Sequence, residues 1–233
     1  MDYGEIERQT FRTFLAFSGL LLAALLVFFS ITSRFYRVSN ILYNNDSEMN
    51  ISSIERLYGT SIWLIDDNYF DIFYVDNPSV ENVVIKKELP NTLVVDIIIS
   101  EQIAYIEDNR QSPSRTFILH KNMFIKDVRG NNELATVMIT NGPLKDGFYE
   151  ELITFVMTLK KYSVNMSNIH IRFDGTNISV THFNTIFDLS AAVDLGRKAT
   201  VVGYYLTEAP CDGEIRLVYN EEGSEIRAIS NCN

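Results

Sequence analysis

The chain has 233 residues, 20 basic and 30 acidic side chains, a formal net charge of -10 and 46% apolar residues. That length holds one or two domains with real cores, the apolar share excludes a disordered chain, and the acidity argues against a nucleic-acid binder, which needs a basic surface to displace counterions. Two cysteines exclude a disulfide-dense scaffold and a cysteine zinc cluster.

The apolar content is uneven. Residues 13–33 hold no charged side chain, and as a helix they span roughly 30 Å, one hydrocarbon core. A cleaved signal peptide would have a shorter run, a basic start and a small-residue cleavage site. This start mixes Asp2, Glu5 and Glu7 with Arg8 and Arg12, and Ser30-Ile31-Thr32 is a poor cleavage site, so the segment reads as an uncleaved single-pass anchor. Arg8 and Arg12 on one side balance Arg34 and Arg37 on the other, leaving orientation open.

Beyond the anchor, residues 38–43 predict a strand. Asn50 can cap a short helix carrying Ile51, Ile54 and Leu57, with Gly59 ending it. Asp66 or Asp67 can cap a second helix over 68–75, whose Tyr69, Phe70, Phe73 and Tyr74 read as core. A hairpin follows. Pairing Lys87 with Leu93 sets Ile85 opposite Val95 and Val83 opposite Ile97, which makes one apolar face around a Pro90-Asn91 turn. This block reads β-α-α-β-β. A polar stretch at 108–115 marks its boundary.

The second block predicts strands at 116–119, 123–128 and 134–140, then a helix over 150–161 with Glu150 and Glu151 at its start and Lys160 and Lys161 at its end, as the helix dipole favours. Asp174-Gly175 signals a two-residue hairpin pairing Ile171 with Ile178 and Ile169 with Val180. A strand at 188–195, a helix at 197–207, a strand at 215–219, a Gly223-Ser224 turn and a strand at 225–229 complete it. The class is α+β: a membrane helix, a β-α-α-β-β domain, then a strand-rich domain with two helices. The organisation is a tail at 1–12, the anchor at 13–33, and domains at 36–107 and 113–233.

Chemical motifs are sparse. The hairpin register sends His170, opposite Ser179, and His182 to opposite faces, and with His120 they lack metal-ligand spacing. No nucleophile elbow, zincin helix, phosphate loop or cofactor motif occurs. Asp66-Asp67 and Glu221-Glu222 read as caps or solvated turns. Cys211 and Cys232 carry no spacing that decides whether they pair. Four N-x-S sequons, at Asn45, Asn50, Asn165 and Asn177, read as chance in an Asn-rich chain. Catalytic and metal residues are therefore not assigned. An unpaired strand edge that accepts a partner's strand is the more useful expectation, and the final strand is a natural candidate.

The stretch Asn77-Pro78-Ser79-Val80-Glu81-Asn82-Val83-Val84-Ile85-Lys86-Lys87-Glu88-Leu89-Pro90-Asn91-Thr92-Leu93-Val94-Val95-Asp96-Ile97-Ile98-Ile99-Ser100-Glu101-Gln102-Ile103-Ala104 resembles the FtsQ/DivIB family of bacterial cell-division proteins. The family pattern is a Pro before the first strand, a basic residue near its end, Pro-Asn-Thr-Leu at the turn and a Glu closing the second strand. Here Pro78, Pro90, Asn91, Leu93 and Glu101 fill those places. Gly59-Thr60-Ser61-Ile62-Trp63 resembles the family's Gly-rich start to its second helix, and the block is similar to a POTRA domain. Val193-Asp194-Leu195-Gly196 and Gly213-Glu214-Ile215-Arg216-Leu217-Val218-Tyr219 resemble late strands of the family's β domain more loosely.

The resemblance implies a non-catalytic divisome scaffold at the division septum. Its N-terminus would be cytoplasmic and its domains extracytoplasmic, binding FtsL-like and FtsB/DivIC-like membrane partners and no small-molecule substrate. It also implies that the late strand and its turn add a partner's strand, through Ile215, Leu217, Tyr219, Glu222, Gly223, Ser224 and Ile226. Two other readings are another single-POTRA membrane protein in secretion or polypeptide delivery, and a membrane-anchored hydrolase.

Overall fold

The computed structural model describes residues 3–44, 49–128, 133–220, 223 and 225–232. The fold is α+β: an apolar N-terminal helix and a sheet-rich body with few helices. The chain divides into two compact units, Met1–Ile99 and Ser100–Asn233.

The first unit begins with α1 (Tyr3–Thr32), within which Phe11–Thr32 is long and apolar enough to cross a bilayer. At 1.5 Å per residue this stretch measures about 33 Å. A 3-10 turn, Arg34–Tyr36, leads into β1 (Asn40–Tyr43), α2 (Ser52–Glu55), a 3-10 segment Asp67–Phe70, α3 (Asp71–Asp76), β2 (Val80–Glu88) and β3 (Thr92–Ile99). The β-α-α-β-β order is the one read from the sequence, and the β2–β3 register pairs Lys87 with Leu93, Ile85 with Val95 and Val83 with Ile97, as the apolar alternation requires. The sheet order is β1-β3-β2, with β1 parallel to β3. Phe70 and Phe73 are core, packed with Leu93, Val95 and Ile97. Asp66 caps the 3-10 segment by accepting from the Asn68 N–H. The Asn50 carboxamide accepts from the Ser52 N–H at 3.1 Å just ahead of α2, whose N-cap position is Ile51 and takes no side-chain bond.

The second unit comprises β4 (Gln102–Asp108), β5 (Arg115–His120), β6 (Ile125–Asp127), β7 (Ala135–Ile139), α4 (Phe148–Lys160), β8 (Ile169–Phe173), β9 (Asn177–His182), β10 (Thr185–Ala191), α5 (Leu195–Thr207), β11 (Gly213–Tyr219) and β12 (Ile226–Cys232). The strands form one sheet in the order β12-β11-β10-β9-β8-β7-β4-β5-β6. β7 to β8 and β10 to β11 are parallel pairs, and α4 and α5 are the crossovers that parallel neighbours need. Both helices bury an apolar stripe in a single core: Leu152, Phe155, Val156 and Leu159 from α4, and Leu195, Ala199 and Val202 from α5.

The boundary differs from the sequence reading. The division falls at Ile99 and Ser100, and the polar stretch at 108–115 is the loop of the β4–β5 hairpin, in which Asp108 pairs with Arg115. β4 is a central strand with residues 103–106 all buried, so it shows a continuous apolar run without alternation, and the run attached itself to the block before it. The 174–175 turn is offset as well. Phe173 pairs with Ile178 and Ile171 with Val180, while His170 faces Thr181 in place of Ser179. The Asp174 carboxylate accepts from the N–H groups of Thr176 and Asn177, which puts Gly175, at φ 97°, first of the two central residues. Apolar still meets apolar, because the offset is two residues. The strand expected at 188–195 instead runs over Thr185–Ala191, and Asp194 is the residue preceding α5.

Candidate partner interface

The residues carried over for partner binding lie on β11, β12 and their connection. Ile215 and Leu217 are buried in the core, and Tyr219 and Ile226 are half-buried and opposite one another. Gly223 is exposed, and its N–H donates to Asn220 O at 2.9 Å. Glu222 and Ser224, with the Glu221-Glu222 pair and the Asn45 sequon, fall outside the described residues. β11 itself is not an edge. It pairs with β10 through Phe187 and Ile215 on one side and with β12 along its whole length on the other. The outer strand is β12, and among the described residues nothing pairs with its far side.

The direction of its backbone groups follows from one bond. The Asn220 N–H donates to Glu225 O at 2.9 Å, so these two are a hydrogen-bonded pair that continues the β11–β12 register. Such pairs alternate in an antiparallel ladder. Val218 with Arg227, Arg216 with Ile229 and Glu214 with Asn231 therefore exchange bonds. The residues between, Ile226, Ala228, Ser230 and Cys232, direct N–H and C=O away from β11. Proline at Val218 would open the β11–β12 ladder and would not block an outer edge.

Several contacts hold this strand pair in place. A disulfide joins Cys211, just before β11, to Cys232 at the end of β12, 21 residues apart. Gly213 has φ 145°, and a Cβ there would lie 2.2 Å from Asn231 O, so only glycine lets the two strands close. The Thr185 hydroxyl donates to Cys211 O at 2.6 Å. At the other end, the Tyr219 hydroxyl donates to the Asp194 carboxylate at 2.8 Å, and burial together with that carboxylate pushes the hydroxyl up to about 12. Lys198 on α5 is buried and donates to Leu189 O at 2.8 Å and Ala191 O at 2.7 Å; burial lowers its ammonium pKa, and it lies over the Tyr219 ring. Neither the disulfide nor the buried lysine was legible from sequence spacing.

The first unit's outer strands are the four-residue β1 and the longer β2. β2 carries a bulge at Glu81, between the pairs Val80–Ile99 and Asn82–Ile98. The Val83 N–H donates to the Tyr74 hydroxyl at 2.9 Å. A bulge and a side-chain cap are the devices by which edges are closed to strange strands. The other residues on which the family resemblance rests lie at turns, strand starts and in the core. Gly59 has φ 80° after α2, Pro78 precedes β2, Pro90 and Asn91 make the β2–β3 turn, and Leu93 is fully buried. Glu101 does not close β3. It belongs to the second unit, just ahead of β4, and binds Lys160 at the end of α4.

Comparison with known proteins yields one plain result: no family model matches the chain, and no curated protein matches it. Among the described residues, no three of His, Cys, Asp and Glu gather into a metal-binding group. His120 is buried, with Nδ1 3.0 Å from Ser100 O, while His170 is exposed on β8. Asn50 and Asn165 of the sequons accept backbone N–H groups, and Asn165 is the N-cap of the 3-10 turn Met166–Asn168.

Proposed function

We propose that the chain is a membrane-anchored scaffold that takes up a strand from a partner along the outer edge of β12, as a divisome component of the FtsQ/DivIB type. The observation that carries this reading is the contrast between edges. β2 is bulged and capped, whereas β12 is seven residues long, has no proline or bulge, carries one charge, Arg227, and leaves Ile229 59% exposed. A long regular edge with an exposed apolar side chain invites strand addition, and a partner's strand would cover it. The apolar helix and the β-α-α-β-β order of the first unit support the same family reading, with that unit acting as its POTRA domain. The Cys211–Cys232 disulfide supports an orientation with the second unit outside the cytoplasm, since such bonds persist in oxidising compartments.

In this reading the partners are FtsL-like and FtsB/DivIC-like single-pass proteins, and the scaffold does no chemistry. Hydrogen exchange on the full chain, with and without those partners, tests it. The amides of Ile226, Ala228, Ser230 and Cys232 should slow on binding. Bound partners with unchanged exchange at these four would sink the docking edge. Depletion of the protein tests the cellular role: filamentous, undivided cells are expected, and a secretion defect without filamentation would favour polypeptide delivery.

A further inference from the structure

The apolar helix ends at Thr32, and the first folded unit begins almost at once. Arg34–Tyr36 makes a single 3-10 turn, and Arg37 bridges to Ser61. The Ile62 N–H donates to Tyr36 O at 2.8 Å, and the rings of Tyr36 and Trp63 lie 5.6 Å apart. Two segments distant in sequence therefore meet where the helix stops.

Residues 61–64 form a turn closed by the Leu64 N–H on Ser61 O at 3.0 Å. Ile62 and Ile65 are buried in the core of the unit. Between them Trp63 is 43% and Leu64 51% exposed, and Phe35, whose ring lies 5.2 Å from that of Tyr36, is 63% exposed. Turn tips normally carry Gly, Asn, Asp, Pro or Ser. An indole and a leucine there expose apolar area that the fold does not use.

The tether fixes where this patch sits. A 3-10 turn rises about 2 Å per residue, so residues 33–37 hold the turn within roughly 10 Å of the helix end. The polar layer on each side of a bilayer core is about 5–8 Å thick. Tryptophan favours that layer, with its ring in the apolar part and its N–H toward water. Arg34 and Arg37 flank the patch and suit lipid phosphates. Asp66 and Asp67, just beyond Ile65, limit the depth, because carboxylates resist leaving water.

We propose that Trp63 and Leu64, with Phe35, rest in the headgroup layer of the membrane that α1 crosses and hold the first unit against the lipid surface. This rests on α1 being a membrane anchor, and the test separates the two. Trp63 is the chain's one tryptophan, so its emission reports this turn alone. The full chain is reconstituted into vesicles of phosphatidylethanolamine and phosphatidylglycerol. Flotation reads the anchor. Quenching by lipids brominated near the headgroup or near the chain end reads the turn.

The expected result is a floating chain whose emission is quenched more by bromine near the headgroup than near the chain end. Leu64→Asp should shift the emission to the red and remove the quenching, with flotation and circular dichroism unchanged. A floating wild-type chain with unquenched Trp63 overturns the lipid contact and leaves the anchor standing. A chain that does not float overturns both. Should Leu64→Asp misfold, the position dependence of wild-type quenching decides the matter by itself.

Discussion

Replacing Ala228 with proline removes one backbone donor that points away from β11. The fold should tolerate it, since no ladder bond of β12 uses that N–H and proline is accepted on edge strands. A partner strand lying along β12 would lose its bond to Ala228. One such bond contributes about 1 kcal/mol net, which is roughly fivefold in affinity. The ring also crowds the neighbouring bonds, so the loss should reach about tenfold or more. Val218→Pro is the contrasting variant. It takes the donor to Arg227 out of the β11–β12 ladder and should cost about 1–3 kcal/mol of stability. The assay pairs a titration of full-length chain in nanodiscs with labelled FtsL- and FtsB-like partners against urea unfolding of each variant. Wild-type affinity in Ala228→Pro would refute docking on this edge. An Ala228→Pro protein as unstable as Val218→Pro would refute the assigned direction of the β12 backbone groups.

Three further outcomes are expected. Cys232→Ser opens a loop of 21 residues' separation and should lower stability by about 3 kcal/mol in urea unfolding under oxidising conditions; an unchanged midpoint would mean that the ladder alone holds β12. Tyr219 has its folded pKa raised to about 12 against an ordinary 10, so its neutral form stabilises the fold fully below pH 10, and that contribution is lost between pH 10 and 12. Tyr219→Phe should lack that loss, and parallel pH profiles of the two proteins would contradict it. Gly213→Ala forces a Cβ onto Asn231 O at a φ that side chains avoid, and should cost about 1–3 kcal/mol in strain, with hydrogen exchange accelerated at Arg227, Ile229 and Asn231.

What the sequence made legible depended on alternation. Val83, Leu93, Val95 and Ile97 are buried and Ile85 partly buried, in strands that alternate with exposed positions, and their parity admits one register. The Asp174-Gly175 turn gave the right hairpin with the wrong centre, because the Asp174 side chain chooses which residues occupy the turn. β4 was hidden for the opposite reason: with both faces covered, residues 103–106 carry no period. The start of β10 was missed because its turn has Phe183 at φ 50°, with no glycine to announce it. At the candidate interface, Ile215 and Leu217 were recognised as strand residues, but a strand's place in a sheet is a property of pairings across the chain, and the pattern of β11 is the same whether it is outer or inner. The Cys211–Cys232 bond and the seat of Lys198 depend on the crossover through α5, which sets β11 parallel to β10, so that Cys211 meets the Thr185 end of β10 while Lys198 reaches Leu189 and Ala191 at its opposite end.

The disulfide also decides how the outer strand bears a load. When a strand is pulled sideways from a sheet, its hydrogen bonds break one pair at a time from whichever end is loose. β12 is continuous with β11 through the turn at one end and is bonded to Cys211 at the other. Peeling has no loose end from which to start. A tug on an attached strand would pass through both ends into β11 and on to the buried core around Ile215 and Leu217, so the attachment should give way at the partner's own bonds before the sheet is unravelled.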